Sequence, residues 1–179
     1  MIALRKLNLP KDGAQIATID TSIVTDAAYI SRIDGDNIRL ERVTLDEPVT
    51  KRFPIGDLNA GDEHQFSAVA TVGDRICGLI AAEYQAWNRR LTIQHFYVDG
   101  QQRGLGIGRL LLERTKEFGI NRGAVNMWAE TSNLNAPGIG AYRRLGFELC
   151  GFDTTLYQGT TAKNEIALFL TCSLAPATT

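Results

Sequence analysis

The chain has 179 residues, 44% of them apolar and 22% charged, a length that suits a single domain over 1–179 and crowds out a second. A net charge of −1 excludes the basic footprint that nucleic-acid binding needs and leaves room for a locally acidic pocket. No apolar stretch approaches the ~20 residues of a bilayer span, and the N-terminus lacks the apolar core of a signal peptide. The expectation is a cytoplasmic, enzyme-sized domain with no membrane partner, with monomer and homodimer both open.

Taken in chain order, Ile2 to Asn8 reads as a first strand that Pro10, Asp12 and Gly13 break, with a short helix from Ala14 to about Ile23. Ala28 to Ile33 and Asn37 to Val43 alternate apolar and polar residues around Asp34-Gly35-Asp36, a hairpin signal. Asp46 to Glu63 carries two prolines, two glycines and five acids and reads as a long surface loop. Gln65 to Val72, Arg75 to Tyr84 and Arg89 to Val98 form a three-stranded antiparallel meander.

After Val98 the period changes. Ile107, Leu111, Thr115 and Phe118, with Leu110 beside them, fall at helical spacing, and Arg109, Glu113, Arg114, Lys116 and Glu117 take the other face. Ala124 to Glu130 reads as a buried strand. Asn135 is a good N-cap for a helix to Leu145, with Pro137 in its first turn and Gly146 past its end. Phe147 to Tyr157 and Glu165 to Cys172 close the chain as strands. Meander, helix, strand, helix, strand, strand is an α+β order, a three-layer domain around a mixed sheet. The three cysteines, Cys77, Cys150 and Cys172, are widely spaced and read as buried small apolar residues rather than nucleophiles.

The segment that carries chemistry is Arg103-Gly104-Leu105-Gly106-Ile107-Gly108, between the meander and the amphipathic helix. Glycines there let the backbone turn tightly and aim several N–H groups outward at a helix N-terminus, a cradle for a diphosphate. A dinucleotide fingerprint does not fit, since Arg109 stands where its third glycine belongs, and the Walker Gly-Lys-Ser/Thr ending is missing. A ligand-free capping turn is the alternative.

These residues resemble the GNAT superfamily of N-acetyltransferases. Arg103, Gly106 and Gly108 fit that superfamily's Q/R-x-x-G-x-G/A, and Asn135, Tyr142 and Gly146-Phe147 fit its second motif, downstream and in order. A narrower likeness covers most of the chain. Thr25-Asp26, Thr50 to Pro54, Ala86 to Thr92 and Cys150 to Tyr157 are similar to the streptothricin (nourseothricin) acetyltransferases, which acetylate a β-lysine amine of the antibiotic.

The resemblance implies a GNAT-like α/β/α domain whose sheet is largely antiparallel, with central strands that splay apart. It implies acetyl-CoA as co-substrate, no metal, and a small cationic amine as partner. The pantetheine arm would pair with the main chain around Phe96, Tyr97 and Val98, and the amides of Gly104, Gly106, Gly108 and Arg109 would hold the diphosphate, with Arg103 supporting the loop. Asn135 would contact the cofactor as well as cap its helix. Tyr142 would donate a proton to the departing thiolate, as a phenol with a reference pKa near ~10 can.

An ammonium must lose a proton before it attacks. The streptothricin enzymes place an acid where this chain has Gln94, which can hydrogen-bond an amine but not deprotonate it. His95, Glu83 and Glu130 are the remaining proton acceptors, and Asp26, Glu83, Glu130 and Asp153 are the carboxylates to attract a cationic substrate. Acetylation of a peptide or protein amine, or a non-catalytic acetyl-CoA-binding module, are the competing readings.

Overall fold

The computed structural model describes residues 1–56, 58 and 65–174. Its elements are β1 (Ile2–Lys6), α1 (Leu9–Ile16), β2 (Ser22–Asp34), β3 (Asn37–Arg52), β4 (Phe66–Val72), β5 (Arg75–Gln85), β6 (Arg90–Val98), α2 (Ile107–Asn121), β7 (Asn126–Ser132), α3 (Ala136–Arg144), β8 (Glu148–Asp153) and β9 (Ala167–Ser173). One mixed sheet has the strand order β1-β4-β5-β6-β7-β9-β8, and β2 and β3 pair in a sheet of two. This is the α+β architecture that the element order implies. Among the described residues no helix is long and apolar enough to cross a membrane.

The chain divides into two compact units. Of the described residues, the first comprises 1–21, 53–56, 58, 65–128 and 173–174, and the second 22–52 and 129–172. In the first, β4, β5 and β6 form the meander, with β1 antiparallel to β4. The two sides of this sheet differ in what covers them, and strand alternation dictates which residues face which. Val69 and Leu79 pair in register and join Ile16 and Ile19 in a buried cluster, so the α1 segment covers that side. Gly78 pairs with Ala70 and Val98 and faces the opposite way, where a Cβ on it would come within 3.0 Å of Ile107 and 3.1 Å of Leu111. The missing side chain therefore lets α2 sit close on the second side, giving helix, sheet, helix. Leu79, Ile80, Leu91 and Leu111 are fully buried, each worth about 1.5–3 kcal/mol by removal from water.

In the second unit β2 and β3 form a long hairpin, and the turn falls at Gly35-Asp36 with Gly35 at φ +56°. Asn133 fastens this hairpin, since its amide donates to the Tyr29 carbonyl at 2.8 Å and its own carbonyl accepts from the Tyr29 N–H at 3.0 Å. β8 and β9 pair antiparallel in the same unit.

Several boundaries differ from the expectation. The first helix is Leu9–Ile16, not Ala14 to Ile23, because Pro10 sits in the first turn where its missing N–H costs nothing. Asp12 is buried but satisfied: it accepts both Arg5 guanidinium nitrogens at 2.7 and 2.8 Å and the Asn8 N–H at 2.8 Å. Asp46 to Arg52 is strand rather than loop; Pro48 fits because it falls in the irregular stretch between the Ala27–Thr44 and Thr25–Val49 pairs. Of the rest of that expected loop, residues 57 and 59–64 lie outside the described residues. β8 stops at Asp153 rather than Tyr157. Leu110 is exposed, so the buried face of α2 runs through Ile107, Leu111, Leu112, Thr115 and Gly119. Cys150 is exposed too, while Cys77 and Cys172 are buried.

Candidate active site

The glycine loop follows β6 directly. β6 pairs with β5 along its length, and one irregularity between Ala81 and Ala82 leaves Gln94 as the extra residue. On its other edge β6 pairs in parallel with β7 only over Arg90–Thr92 against Asn126–Trp128. β6 then runs on to Val98, so the short ladder is the parting of central strands that was expected.

At the end of β6 the chain turns on Asp99. This carboxylate is fully buried, accepts the Gln101 N–H at 3.1 Å and the Asp20 N–H at 3.2 Å, and pairs with Arg75 at 3.1 Å. Arg103 then crosses back, donating from Nε to the Val98 carbonyl and from Nη2 to the Asp20 carbonyl, both at 3.2 Å. A Cβ on Gly100 would lie 2.9 Å from an Asp20 carboxylate oxygen, which would have to shift to admit it. The loop is thus anchored at its base.

Beyond this base, Gly104 and Gly106 adopt φ +81° and +84°, the left-handed region that side chains disfavour, and nothing lies within 4 Å of where their Cβ atoms would be. Neither glycine is there to let protein pack closer. Gly108 is different, because a Cβ on it would come 3.3 Å from the Phe96 ring. The first bond of α2 runs from the Leu110 N–H to the Gly106 carbonyl at 3.1 Å. The amides of Ile107, Gly108 and Arg109 therefore precede the helical ladder and carry the positive end of its dipole. Two outward-turned glycines and three helix-start amides suit a diphosphate.

The other residues picked out in this unit lie on β5 and β6. Gln94 and Glu83 are both exposed and share a long hydrogen bond, the Gln94 amide donating to the Glu83 carboxylate at 3.4 Å. His95 is half-buried, its ring 6.2 Å from that of Tyr97 and its Cε1 3.4 Å from the Cβ position of Gly56. The Tyr97 hydroxyl donates to the Pro54 carbonyl at 3.3 Å.

The second unit holds the rest. Asn135 caps α3 by accepting the Gly138 N–H at 3.1 Å, and its amide donates to the Thr131 hydroxyl at 2.8 Å. Tyr142 is buried on α3, its ring edge-on to Phe147 with centroids 5.0 Å apart. Arg143 lies over the Tyr29 ring at 5.6 Å. Asp26 is exposed on β2. Asp153 closes its own turn, accepting from the Thr155 N–H at 2.6 Å, the Thr155 hydroxyl at 2.7 Å and the Leu156 N–H at 3.0 Å; these bonds, the Thr155 hydroxyl first, hold its pKa below the usual carboxylate range.

Glu130 sits on β7, half-buried, and accepts a hydrogen bond from the Tyr157 hydroxyl. Burial pushes its carboxyl up, against the pull of that bond and of the Lys51 charge. Lys51 itself lies 2.5 Å from both oxygens of Glu165, which also accepts from the Ser132 hydroxyl. The sequence reading did not single out Asp99, at the base of the glycine loop, or Tyr157, Lys51 and Glu165, around Glu130. An Asp-Gly pair just ahead of the glycine loop is the one signal that would have found Asp99.

Comparison with known proteins gives the family. The family Acetyltransferase (GNAT) matches residues 34–147. A streptothricin acetyltransferase from Streptomyces lavendulae is 40% identical over 170 residues, covering 90% of this chain and 89% of that protein. The crystal structure of a nourseothricin acetyltransferase superposes with a TM-score of 0.88 at 38% identity, over 97% of this chain and 99% of that one. A Bacillus anthracis str. Ames protein solved with acetyl coenzyme A shares the fold, with a TM-score of 0.77 at 22% identity over 97% of this chain and 98% of its own. Glycine loop, Asn-Tyr helix and family match converge: this chain belongs to the GNAT family and is an acetyl-CoA-dependent N-acetyltransferase.

Proposed function

We propose that the chain acetylates a small cationic amine, the β-lysine amine of a streptothricin antibiotic, and so protects a cytoplasm in which acetyl-CoA is available. What supports this reading is the 40% identity to a streptothricin acetyltransferase along nine-tenths of the chain. The residues fit the co-substrate: at Gly104 and Gly106 a left-handed backbone opens onto space that no side chain fills. The amides of Gly104, Gly106, Gly108 and Arg109 hold the diphosphate, Arg103 and Asp99 brace the loop, and the main chain at Phe96, Tyr97 and Val98 extends along the pantetheine arm. Bound acetyl-CoA supplies an activated thioester.

The chain's own groups then manage protons and orientation. Asn135 joins the cofactor contacts while it caps α3, and Tyr142 donates a proton as the thiolate departs. Glu130 takes the proton of the acceptor ammonium. Its half-buried setting disfavours the charged carboxylate, which makes it a better base than exposed Glu83. His95 is an alternative acceptor through water. The Glu83–Gln94 pair offers the amine a hydrogen-bonding edge, and Asp26 and Asp153 add negative field around the substrate. Residues 1–179 act as one catalytic domain in this proposal.

The test is an acceptor screen that follows release of free CoA thiol. Streptothricin should give turnover at least about 100-fold above that with lysine-bearing or N-terminal peptides, a span of roughly 2.7 kcal/mol. Preferential turnover of peptides would reassign the acceptor. Binding of acetyl-CoA with no turnover on any amine would leave only a binding module.

A further inference from the structure

Three segments of the second unit converge on Glu130, and one of them determines what its carboxylate can do. Tyr157, in the turn after β8, donates its hydroxyl to Oε1. The other groups around this pair are Lys51 on β3, whose charge acts on Glu130, and Glu165 just ahead of β9, whose charge acts on Tyr157. Lys51 already has Glu165 at 2.5 Å, and Ser132 donates to the same carboxylate. That ammonium is therefore shared with a nearer acid, whereas the Tyr157 phenol bonds Glu130 directly. The Tyr157 bond falls on Oε1 of Glu130.

We propose that Tyr157 is the positioning residue for Glu130: its phenol holds Oε1, fixes the plane of the carboxylate, favours its ionised form and leaves Oε2 for the acceptor ammonium. This rests on the reading of Glu130 as proton acceptor. In the step, one N–H bond of R–NH3+ breaks and its proton forms an O–H bond with Oε2. The amine keeps the electron pair, and Glu130 becomes neutral. Tyr157 retains its own proton throughout, because burial, the bond to Glu130 and the charges of Glu130 and Glu165 all push its pKa up. No other reactant is needed.

The sign of the effect follows. A hydrogen bond to a carboxylate favours the charged form, so its loss raises the pKa of the acid. In Tyr157→Phe the ring remains and only the donor goes. The acidic limb of the kcat/KM profile should move up by about one pH unit, and activity on that limb should fall about tenfold. The carboxyl carbon resonance of Glu130, followed by NMR across the same pH range in the free enzyme, should titrate higher by a similar amount. Glu130→Gln supplies the control, with an expected loss of about 100-fold in kcat. Should Glu130→Gln keep full activity, the proton acceptor lies elsewhere and the role of Tyr157 falls with it. If Glu130→Gln is impaired while Tyr157→Phe leaves both the limb and the resonance unmoved, Glu130 stands as base and the positioning role is overturned.

Discussion

Gly106→Ala should raise the KM for acetyl-CoA about tenfold and leave kcat within twofold. Gly106 is the N-cap of α2 at φ +84°, ψ −3°, where an L side chain costs roughly 1–2 kcal/mol. A chain with alanine there relaxes toward negative φ, which swings the amides that precede the Leu110–Gly106 bond away from their common focus. A difference of about 1.4 kcal/mol is tenfold in an equilibrium constant, so strain alone accounts for the expected loss. Gly35→Ala is the internal control. Gly35 also has positive φ with nothing within 4 Å of its Cβ position, but lies at the tip of the β2–β3 hairpin. It should lower stability by a similar amount and leave KM alone. Equal KM changes in both variants would mean that the effect reports strain in general and not the cofactor cradle.

Tyr142→Phe should lower kcat about 100-fold, within the usual range for a lost general acid, and change the KM for acetyl-CoA less than twofold. The phenyl ring keeps the edge-on contact with Phe147, and α3 keeps its Asn135 cap. Only the hydroxyl is removed, so a loss of rate reads as chemistry and not as unfolding. Stopped-flow release of CoA thiol under saturating acetyl-CoA measures it. An unaltered rate removes Tyr142 from the mechanism.

Much of this was legible before the structure, and the reason lies in which residues signal locally. The glycine loop announced itself because φ above +80° at Gly104 and Gly106 requires glycine and because an amphipathic helix follows directly. Asn135 was readable as a cap from its place ahead of Pro137, and the meander from three apolar runs, 65–72, 75–84 and 89–98, the first two joined through Gly73-Asp74. Other signals misled. Pro10 and Gly13 look like breakers yet sit inside α1, one in the first turn and the other where no neighbour crowds it. Acids and Pro48 made Asp46 to Arg52 look like loop, although a strand of an isolated hairpin can be polar and irregular. Asp153 ended β8 early by folding its carboxylate over the next turn.

The association of Glu130 with Tyr157, and of Lys51 with Glu165, was invisible for another reason. The partners in each pair are 27 and 114 residues apart, and topology alone brings them together. No spacing rule reaches that far. The substitution of Gln94 for an acid turned attention to His95 and the carboxylates on neighbouring strands. Burial and partners, neither of them readable from spacing, separate half-buried Glu130 from exposed Glu83.

The most direct test is calorimetric titration of the wild-type chain with coenzyme A and, in parallel, with pantetheine, which lacks the diphosphate. Tight association of the first, and affinity for the second weaker by about 100-fold or more, is the outcome that a phosphate-gripping bend at 103–109 demands, since charge-assisted bonds from several amides would be lost together. Equal affinities, or no heat with coenzyme A, would contradict it.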